Sequence, residues 1–329
     1  FADSAAHAVG YVGKIDAAQA EVLGEYGYNS MSEIGKTGVE KTYDSILRAE
    51  PGGRQIEINS RGQEVRLLGL KDPVPGKDLQ LTIDQRVQAA AVELMDSRPG
   101  AVVVMDLDTG ELLSVVSSPT FDPNVFIDKG QQDRMVSYLQ DSRGPLLNRA
   151  VANRYPPGSV FKIPVALAAI ELHKITEDLT FDCPGYYMLG QAKFGCAHVH
   201  GSENLNQAIA HSCNVYFFHI GQMITAKVIE QYAKAFGLGR VTGVDLPFEV
   251  PGQVIGHAQN GKRWFTGNTL NFSIGQGDTL STPLQLTVMM AAVANDGIIL
   301  KPHIAKVIDD QEILQKDNNK LPKIRLHKK

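Results

Sequence analysis

Residues 155–170 read YPPGSVFKIPVALAAI. The triplet Pro156-Pro157-Gly158 cannot continue a regular element, and the apolar run after it predicts a buried helix. Ser159 and Lys162 then lie three residues apart in the first turn of that helix, with their Cβ atoms about 5–6 Å apart. A buried lysine loses its proton more readily than an exposed one, so it can accept the proton of a serine hydroxyl. The spacing predicts a nucleophilic serine with a lysine base, although a lone S-x-x-K pattern often arises by chance.

A second motif adds weight to this interpretation. Ser212-Cys213-Asn214 follows Ser159 by 53 residues and lies within an apolar segment that predicts a helix over 204–222. Serine and asparagine at such a place are also ordinary helix caps. The functional alternative is a second hydroxyl that relays a proton and an amide that holds a substrate. S-x-x-K followed by S-D-N and K-T-G is the signature of penicillin-binding proteins and class A β-lactamases, and here cysteine replaces the aspartate.

With these motifs the chain resembles the class B penicillin-binding proteins, and most closely the penicillin-binding protein 2 group. The likeness covers nearly the whole chain, because further matching segments occur in the order typical of that family. These segments are 6–13, 35–43, 78–84, 100–106, 148–150, 273–277 and 282–285.

The resemblance implies an α/β (α+β) fold of the penicillin-binding and serine β-lactamase-like type, in which helices cover an antiparallel sheet. Residues 1–72 are expected to form part of a small, β-rich N-terminal pedestal (dimerisation-type) domain, and residues 73–329 the transpeptidase domain. The boundary rests on a cluster of proline and glycine at 73–76. The elements predicted in the second domain are a strand at 79–83, a helix at 85–96, a hairpin of 101–105 with 111–117, and helices at 159–172 and 286–294.

One motif departs from the family pattern. The K-T-G triplet present in the chain, Lys36-Thr37-Gly38, lies far upstream of Ser159 and inside the matching pedestal segment, so we interpret it as unrelated to catalysis. In the family the K-T-G strand lines the active-site groove, supplies an oxyanion-hole N–H and holds the substrate carboxylate. The chain reaches Lys329 before such a strand would begin. The domain is therefore expected to be C-terminally incomplete with an exposed sheet edge, and the activity of the chain alone is left open.

The resemblance implies a peptidoglycan D,D-transpeptidase that cross-links stem peptides through a serine acyl-enzyme during cell elongation, and that is a target of β-lactam antibiotics. Ser159 is then the nucleophile and Lys162 the base, while Ser212 relays a proton and Asn214 anchors the peptide. The implied partners are a SEDS-family glycosyltransferase and an elongation scaffold protein. The implied location is the inner membrane, with an anchor that this chain lacks and the catalytic domain in the periplasm. The alternatives are a D,D-carboxypeptidase or β-lactamase-type serine hydrolase, and a non-catalytic β-lactam sensor or scaffold.

Composition is consistent with a soluble globular chain. The 329 residues are 43% hydrophobic and carry a formal net charge of −4, which gives no indication of nucleic-acid binding. The chain contains no run of about 18 apolar residues, so no membrane span is predicted within it.

The three cysteines, Cys183, Cys196 and Cys213, form a second group of chemically interesting residues together with His200. Three thiolates and one imidazole are a typical ligand set for structural zinc. By resemblance, some members of the penicillin-binding protein 2 group carry zinc beside the S-x-N motif at matching positions, although two of the ligands there are carboxylates. A Cys183–Cys196 disulfide and ordinary free thiols are the alternatives, and His198 is the rival of His200 as the fourth ligand.

Overall fold

The computed structural model describes residues 3–258 and 263–313. The first part of the chain contains α1 (Ala6–Val9), β1 (Val12–Lys14), α2 (Ala17–Leu23), β2 (Glu33–Gly35), α3 (Gly38–Thr42), α4 (Asp44–Leu47), β3 (Gly53–Ile58) and β4 (Glu64–Lys71). The second part contains β5 (Leu79–Leu81), α5 (Gln85–Met95), β6 (Gly100–Met105), β7 (Leu112–Ser118), α6 (Gln132–Gln140), α7 (Lys162–Glu171), β8 (Phe181–Cys183), β9 (Tyr186–Leu189), β10 (Ala192–Gly195), β11 (Gly201–Glu203), α8 (Leu205–Ala210), α9 (Asn214–Ala235), α10 (Thr266–Ser273), α11 (Pro283–Ala294), β12 (Ala305–Ile308) and β13 (Gln311–Glu312). Residues 314–329, on which the expectation of a missing K-T-G strand falls, lie outside the described residues.

The pairs between these strands are antiparallel, which confirms the predicted α+β class. The hairpin predicted over 101–117 is present as β6 and β7. Its turn is held by Asp106, whose Oδ1 accepts the backbone N–H groups of Asp108 (3.0 Å) and Thr109 (2.9 Å). Gly110 follows with a φ of +83°, a conformation that favours glycine. Helix α5 packs on β7 and helix α11 packs on β6, so the hairpin lies among helices.

Side-chain caps set where two of the predicted helices begin. Helix α5 starts at Gln85 because the Asp84 side chain accepts the N–H groups of the first turn. Helix α11 begins at Pro283, three residues earlier than predicted. There the Thr282 hydroxyl accepts the N–H of Gln285 at 3.1 Å, and the Gln285 side chain accepts the N–H of Thr282 at 3.0 Å. This capping box starts the helix ahead of its apolar run.

The Lys36-Thr37-Gly38 triplet lies in the pedestal segment, as interpreted. Gly38 has a φ of +60°, and a Cβ there would come within 2.4 Å of the Gly10 nitrogen, so only glycine lets α3 approach α1 this closely. The Lys36 ammonium donates to the side chain of Gln19, another pedestal residue, at 2.8 Å. The triplet therefore serves packing inside the pedestal.

Several polar contacts join the pedestal to the second domain, among them those of Tyr43 and His7. The Tyr43 hydroxyl donates to Asp245 at 2.8 Å, and the same carboxylate accepts the backbone N–H groups of Ile304 and Ala305 at the start of β12. The buried His7 ring lies 2.7 Å from the carbonyl of Pro145. Each contact satisfies groups that burial would otherwise leave without partners.

The core of the second domain is built around α7, α9 and α10. Phe161, Phe217 and Phe272 are almost completely buried between these helices. Burying each such side chain contributes about 1.5–3 kcal/mol to folding. Within the described residues, none of the helices combines the length and apolar character of a membrane span.

Candidate active site

Ser159 lies in a 3₁₀ turn, Gly158–Phe161, that runs directly into α7. The predicted helix over 159–172 is thus a short 3₁₀ turn followed by an α-helix. Phe161 faces the core, where its ring packs 5.3 Å from that of Phe272, whereas Ser159 is exposed. The N-terminus of a helix carries partial positive charge, which stabilises negative charge developing on a substrate bound at this serine.

The turn before Ser159 is fixed by residues 273–281, a segment that begins with the family-like stretch 273–277. Tyr155 and Ser281 exchange backbone hydrogen bonds of 2.8 and 2.9 Å, and the Gly158 N–H donates to the carbonyl of Gly275 at 3.0 Å. A Cβ on Gly275 would come within 2.3 Å of the Gly158 carbonyl oxygen. Glycine is required at this position because the two backbones touch, and the contact sets the direction in which the chain enters α7.

Lys162 is a buried residue at the centre of the site, with 2% of its surface exposed. Its ammonium donates to the Ser212 carbonyl (2.7 Å), the Ser212 hydroxyl (3.0 Å) and the Asn214 side-chain oxygen (2.8 Å). Burial lowers its pKa to about 8, and the nearby thiol groups offset only part of that effect. A lysine of this kind can exchange a proton near neutral pH.

Ser212 links the lysine to the nucleophile. Its hydroxyl donates to Ser159 Oγ at 2.7 Å, so a continuous chain of hydrogen bonds runs from Ser159 through Ser212 to Lys162. The predicted single helix over 204–222 is wrong at this point, because Ser212 has a φ of +56° and separates α8 from α9. This left-handed conformation is unfavourable for serine. It puts the Ser212 side chain in a position that a residue of a continuous helix would not occupy.

Asn214 is the first residue of α9 and makes contacts in three directions. Its side-chain oxygen accepts from Lys162, and its side-chain nitrogen donates to the carbonyl of Gly195 at 3.3 Å. Its backbone N–H donates to the sulfur of Cys196 at 3.1 Å. The amide orientation is thereby defined on both sides.

The predicted metal ligands also converge. The ligand atoms of Cys183, Cys196, His200 and Cys213 all lie within 4.8 Å of one another. His200 Nδ1 lies 3.5 Å from the sulfur of Cys183 and 3.6 Å from that of Cys196. Bond lengths of about 2.3 Å to sulfur and about 2.05 Å to nitrogen in a tetrahedral zinc site place such atoms about 3.6 Å apart. The four residues fit a zinc ion in spacing and in donor type.

The cysteines are free in the structure, and two of them are almost fully buried, Cys183 at 1% and Cys213 at 0% exposure. Burial raises the pKa of the Cys213 thiol to about 12. At Cys196 burial also raises the pKa, but neighbouring donors, of which Val215 and Asn214 contribute most, together hold that pKa below its usual value. His198, the rival fourth ligand, contributes its carbonyl at 3.7 Å from Cys183, whereas the ring nitrogen in the group is that of His200.

Comparison with known families identifies the chain. Residues 100–329 match the penicillin-binding protein transpeptidase domain, and residues 1–81 match the penicillin-binding protein dimerisation domain. The chain belongs to the penicillin-binding protein transpeptidase family. In this penicillin-binding protein, Ser159, Lys162, Ser212 and Asn214 all fall within the matched transpeptidase segment.

Relatives of this penicillin-binding protein are known in sequence and structure. The peptidoglycan D,D-transpeptidase MrdA of Acinetobacter baumannii is 36% identical in an alignment 317 residues long, which covers 92% of this chain and 46% of that protein. One chain in the solved complex of penicillin-binding protein PBP2 with MreC from Helicobacter pylori is 34% identical with a TM-score of 0.83. The match covers 99% of this chain and 59% of that one. One chain in a solved structure of a peptidoglycan synthase complex, described by its coordination of polymerization and crosslinking, is 32% identical with a TM-score of 0.83. The match covers 97% of this chain and 59% of that one. The chain spans about half the length of the curated relatives it matches.

Sequence patterns missed the pairing of a buried carboxylate with an exposed histidine in this penicillin-binding protein. Glu203 is nearly fully buried at the end of β11, and its carboxylate lies 2.9 Å from Nδ1 of His211, the residue before Ser212. The His211 ring also stacks on that of His200 at 6.0 Å. The signal available in the sequence was an acidic residue between two histidines, which is too common a pattern to single out.

Proposed function

We propose that this protein is a peptidoglycan D,D-transpeptidase that cross-links stem peptides through an acyl-enzyme on Ser159. The observation that carries the proposal is the hydrogen-bonded chain from the exposed Ser159 through Ser212 to the buried Lys162. Few structural roles require a buried lysine with a lowered pKa that contacts a serine hydroxyl, itself hydrogen-bonded to a second, exposed serine. The MrdA relative supports the same reaction class.

In the first step, Ser159 Oγ attacks the carbonyl of the penultimate D-alanine. Its proton passes to Ser212 while the Ser212 proton passes to neutral Lys162, so the positive charge on the lysine balances the negative charge on the substrate oxygen. The tetrahedral oxyanion forms near the N-terminal end of the α7 segment. Asn214 holds the peptide beside it.

In the second step, the bond to the terminal D-alanine breaks, and its nitrogen takes a proton back along the chain from Lys162 through Ser212. The amine of a neighbouring stem peptide then attacks the acyl-enzyme, and its proton passes to the neutral Lys162. The new peptide bond forms, the ester bond to Ser159 Oγ breaks, and Oγ takes a proton back from Lys162 through Ser212. β-Lactams resemble the D-alanyl-D-alanine terminus and acylate the same serine.

The reaction is tested with the full-length protein, a stem peptide that ends in D-alanyl-D-alanine and an amine acceptor. Release of D-alanine with formation of the amide-linked product supports transpeptidation. Release of D-alanine with the hydrolysed peptide as the main product would indicate a D,D-carboxypeptidase, and rapid turnover of β-lactam would indicate a β-lactamase. Stable acylation by β-lactam without any peptide turnover would indicate a sensor or scaffold.

The proposed setting is cell elongation and cell-shape control at the periplasmic face of the inner membrane, with a membrane anchor in the full-length protein. The proposed partners are a SEDS-family glycosyltransferase and an elongation scaffold protein. The similarity to a PBP2 in complex with MreC and to a peptidoglycan synthase complex supports these partners. Depletion should produce round cells, whereas filaments would favour a role in division.

Ser212→Ala is expected to slow acylation by β-lactam about 10²-fold or more, because the structure routes the proton of Ser159 through this hydroxyl. Ser202→Ala is the matched control, since Ser202 is an exposed serine on the adjacent strand β11. The measurement is the second-order rate of labelling with a fluorescent penicillin. A rate within twofold of the unchanged protein would mean that Lys162 reaches Ser159 without the relay.

We further propose that Cys183, Cys196, His200 and Cys213 hold one structural zinc ion. When bound, zinc supplies a rigid tetrahedral link among these four side chains. Cys213 lies between Ser212 and Asn214 in sequence. A metal bond to its sulfur would therefore hold the backbone segment that carries both of these candidate catalytic residues. Metal ligation also protects the thiols from oxidation in the periplasm.

Cys213→Ser and His200→Ala are expected to lower the zinc content and to reduce the melting temperature, on the order of 5 °C. His198→Ala is the matched control and should retain zinc, because the His198 ring lies outside the group of ligand atoms. Elemental analysis of protein purified without added metal provides the readout. Absence of zinc, together with a mass about two units below that of the fully reduced chain, would establish a disulfide instead.

A further inference from the structure

The helix that presents Asn214 has no cap of its own. The first N–H groups of any helix lack partners within the helix and are usually satisfied by the side chain of the N-cap residue. At α9 the N-cap residue is Cys213, and its side chain makes no capping hydrogen bond. The sulfur of Cys213 is instead directed into the group of metal-ligand atoms.

The missing acceptor comes from a different element. The sulfur of Cys196, the residue that follows β10, accepts the backbone N–H of Asn214 at 3.1 Å. Cys196 is 18 residues away from Asn214 in sequence, so this is a cap formed through the tertiary structure.

The same strand end also holds the Asn214 side chain. The carbonyl of Gly195 accepts from the side-chain nitrogen of Asn214 at 3.3 Å, which leaves the side-chain oxygen directed at Lys162. Gly195 and Cys196 therefore fix both the backbone and the side chain of Asn214. Reactions of this type tolerate little misplacement of the groups that hold the substrate.

We propose that Cys196 is a positioning residue whose sulfur caps α9 and orients Asn214, a role separate from its membership of the metal-ligand group. Its effect on acylation rests on the proposed function, whereas the cap itself does not. Cys183 offers a matched comparison, because it belongs to the same ligand group but its contacts run to His198 and His200. Substitution of either cysteine removes a metal ligand, whereas substitution of Cys196 also removes the cap.

The cap is tested by amide hydrogen exchange, measured by NMR on the full-length, zinc-supplemented protein. The Asn214 amide is expected to exchange at least about tenfold more slowly than an uncapped first-turn amide. Cys196→Ala should abolish that protection, and Cys183→Ala should retain most of it. Cys196→Asp should also retain it, because a carboxylate can both cap a helix and bind zinc. An unprotected Asn214 amide in the unchanged protein would overturn the proposal, as would equal loss in the two alanine variants.

Acylation by β-lactam gives the second readout. Cys196→Ala is expected to be about tenfold slower than Cys183→Ala, although both variants lose metal to a similar extent. Cys196→Asp should restore the rate to within about threefold of the unchanged protein. Equal rates for the two alanine variants would show that Cys196 acts on Asn214 only through the metal. Lack of acylation in the unchanged protein would count against the proposed function and leave the exchange result to decide on the cap.

Discussion

Ser159→Ala is expected to abolish acylation of the full-length protein by β-lactam, with a loss of at least about 10⁴-fold in the labelling rate. The reason is covalent: removal of Oγ removes the atom that forms the acyl bond, and no neighbouring group can replace it in the same position. Ser159 is the exposed member of the hydrogen-bonded chain, so it is the hydroxyl that a substrate can reach. The same change should stop the release of D-alanine from a stem peptide.

The control for this variant is Ser137→Ala, an exposed serine on α6 that should label at the normal rate. Labelling with fluorescent penicillin followed by electrophoresis gives the fraction acylated, and mass spectrometry of the labelled peptide identifies the modified residue. Persistent labelling of Ser159→Ala, or a label located on Ser212, would overturn the assignment of the nucleophile.

Lys162→Arg is expected to slow acylation by about 10³-fold or more while the protein remains folded. Arginine keeps the positive charge and most of the length of the side chain, but it does not lose its proton in the accessible pH range. The lysine can, because burial lowers its pKa to about 8. The contribution of such a base is typically 10²- to 10⁴-fold, and the cramped, buried site adds a steric penalty for the larger guanidinium.

The pH dependence of acylation gives an independent test. Neutral lysine is the reactive form, and its fraction grows as the pH rises through a pKa of about 8. The acylation rate should therefore increase about tenfold between pH ~7 and pH ~9 and then level off. Lys234→Arg, at an exposed lysine paired with Glu230, should leave this profile unchanged. A flat profile, or near-normal acylation in Lys162→Arg, would exclude Lys162 as the base.

The sequence was sufficient for the features that depend on local pattern. The break at Pro156-Pro157-Gly158 and the apolar run after it correctly placed Ser159 and Lys162 at the start of a buried helix. The hairpin predicted for 101–105 with 111–117, around a turn at residues 106–110, is present as β6 and β7. The set of motifs, taken in order, correctly gave the family. These features follow from periodicity, turn chemistry and spacing, which are properties of short segments.

The predicted helix over 204–222 failed for a physical reason that the sequence does not display. Its apolar pattern is helical throughout, yet Ser212 adopts a left-handed conformation that local preferences disfavour. In the folded protein the contact of its hydroxyl with Ser159 and Lys162 coincides with that conformation. Departures from local preference of this kind are expected where function imposes a geometry.

The fold class, the family and the candidate catalytic residues follow from the amino-acid sequence alone. The sequence could not determine how residues 50 or more positions apart meet, because that depends on the packing of α7 against α9. Long-range packing places Lys162 beside Ser212 and Asn214 and brings Cys196 to the start of α9. It also places a ring nitrogen of His200, and not of His198, among the cysteine sulfurs. The burial and hydrogen-bond geometry of these side chains are set by contacts between residues distant in sequence. Those contacts, and not the local sequence, assemble the candidate active site.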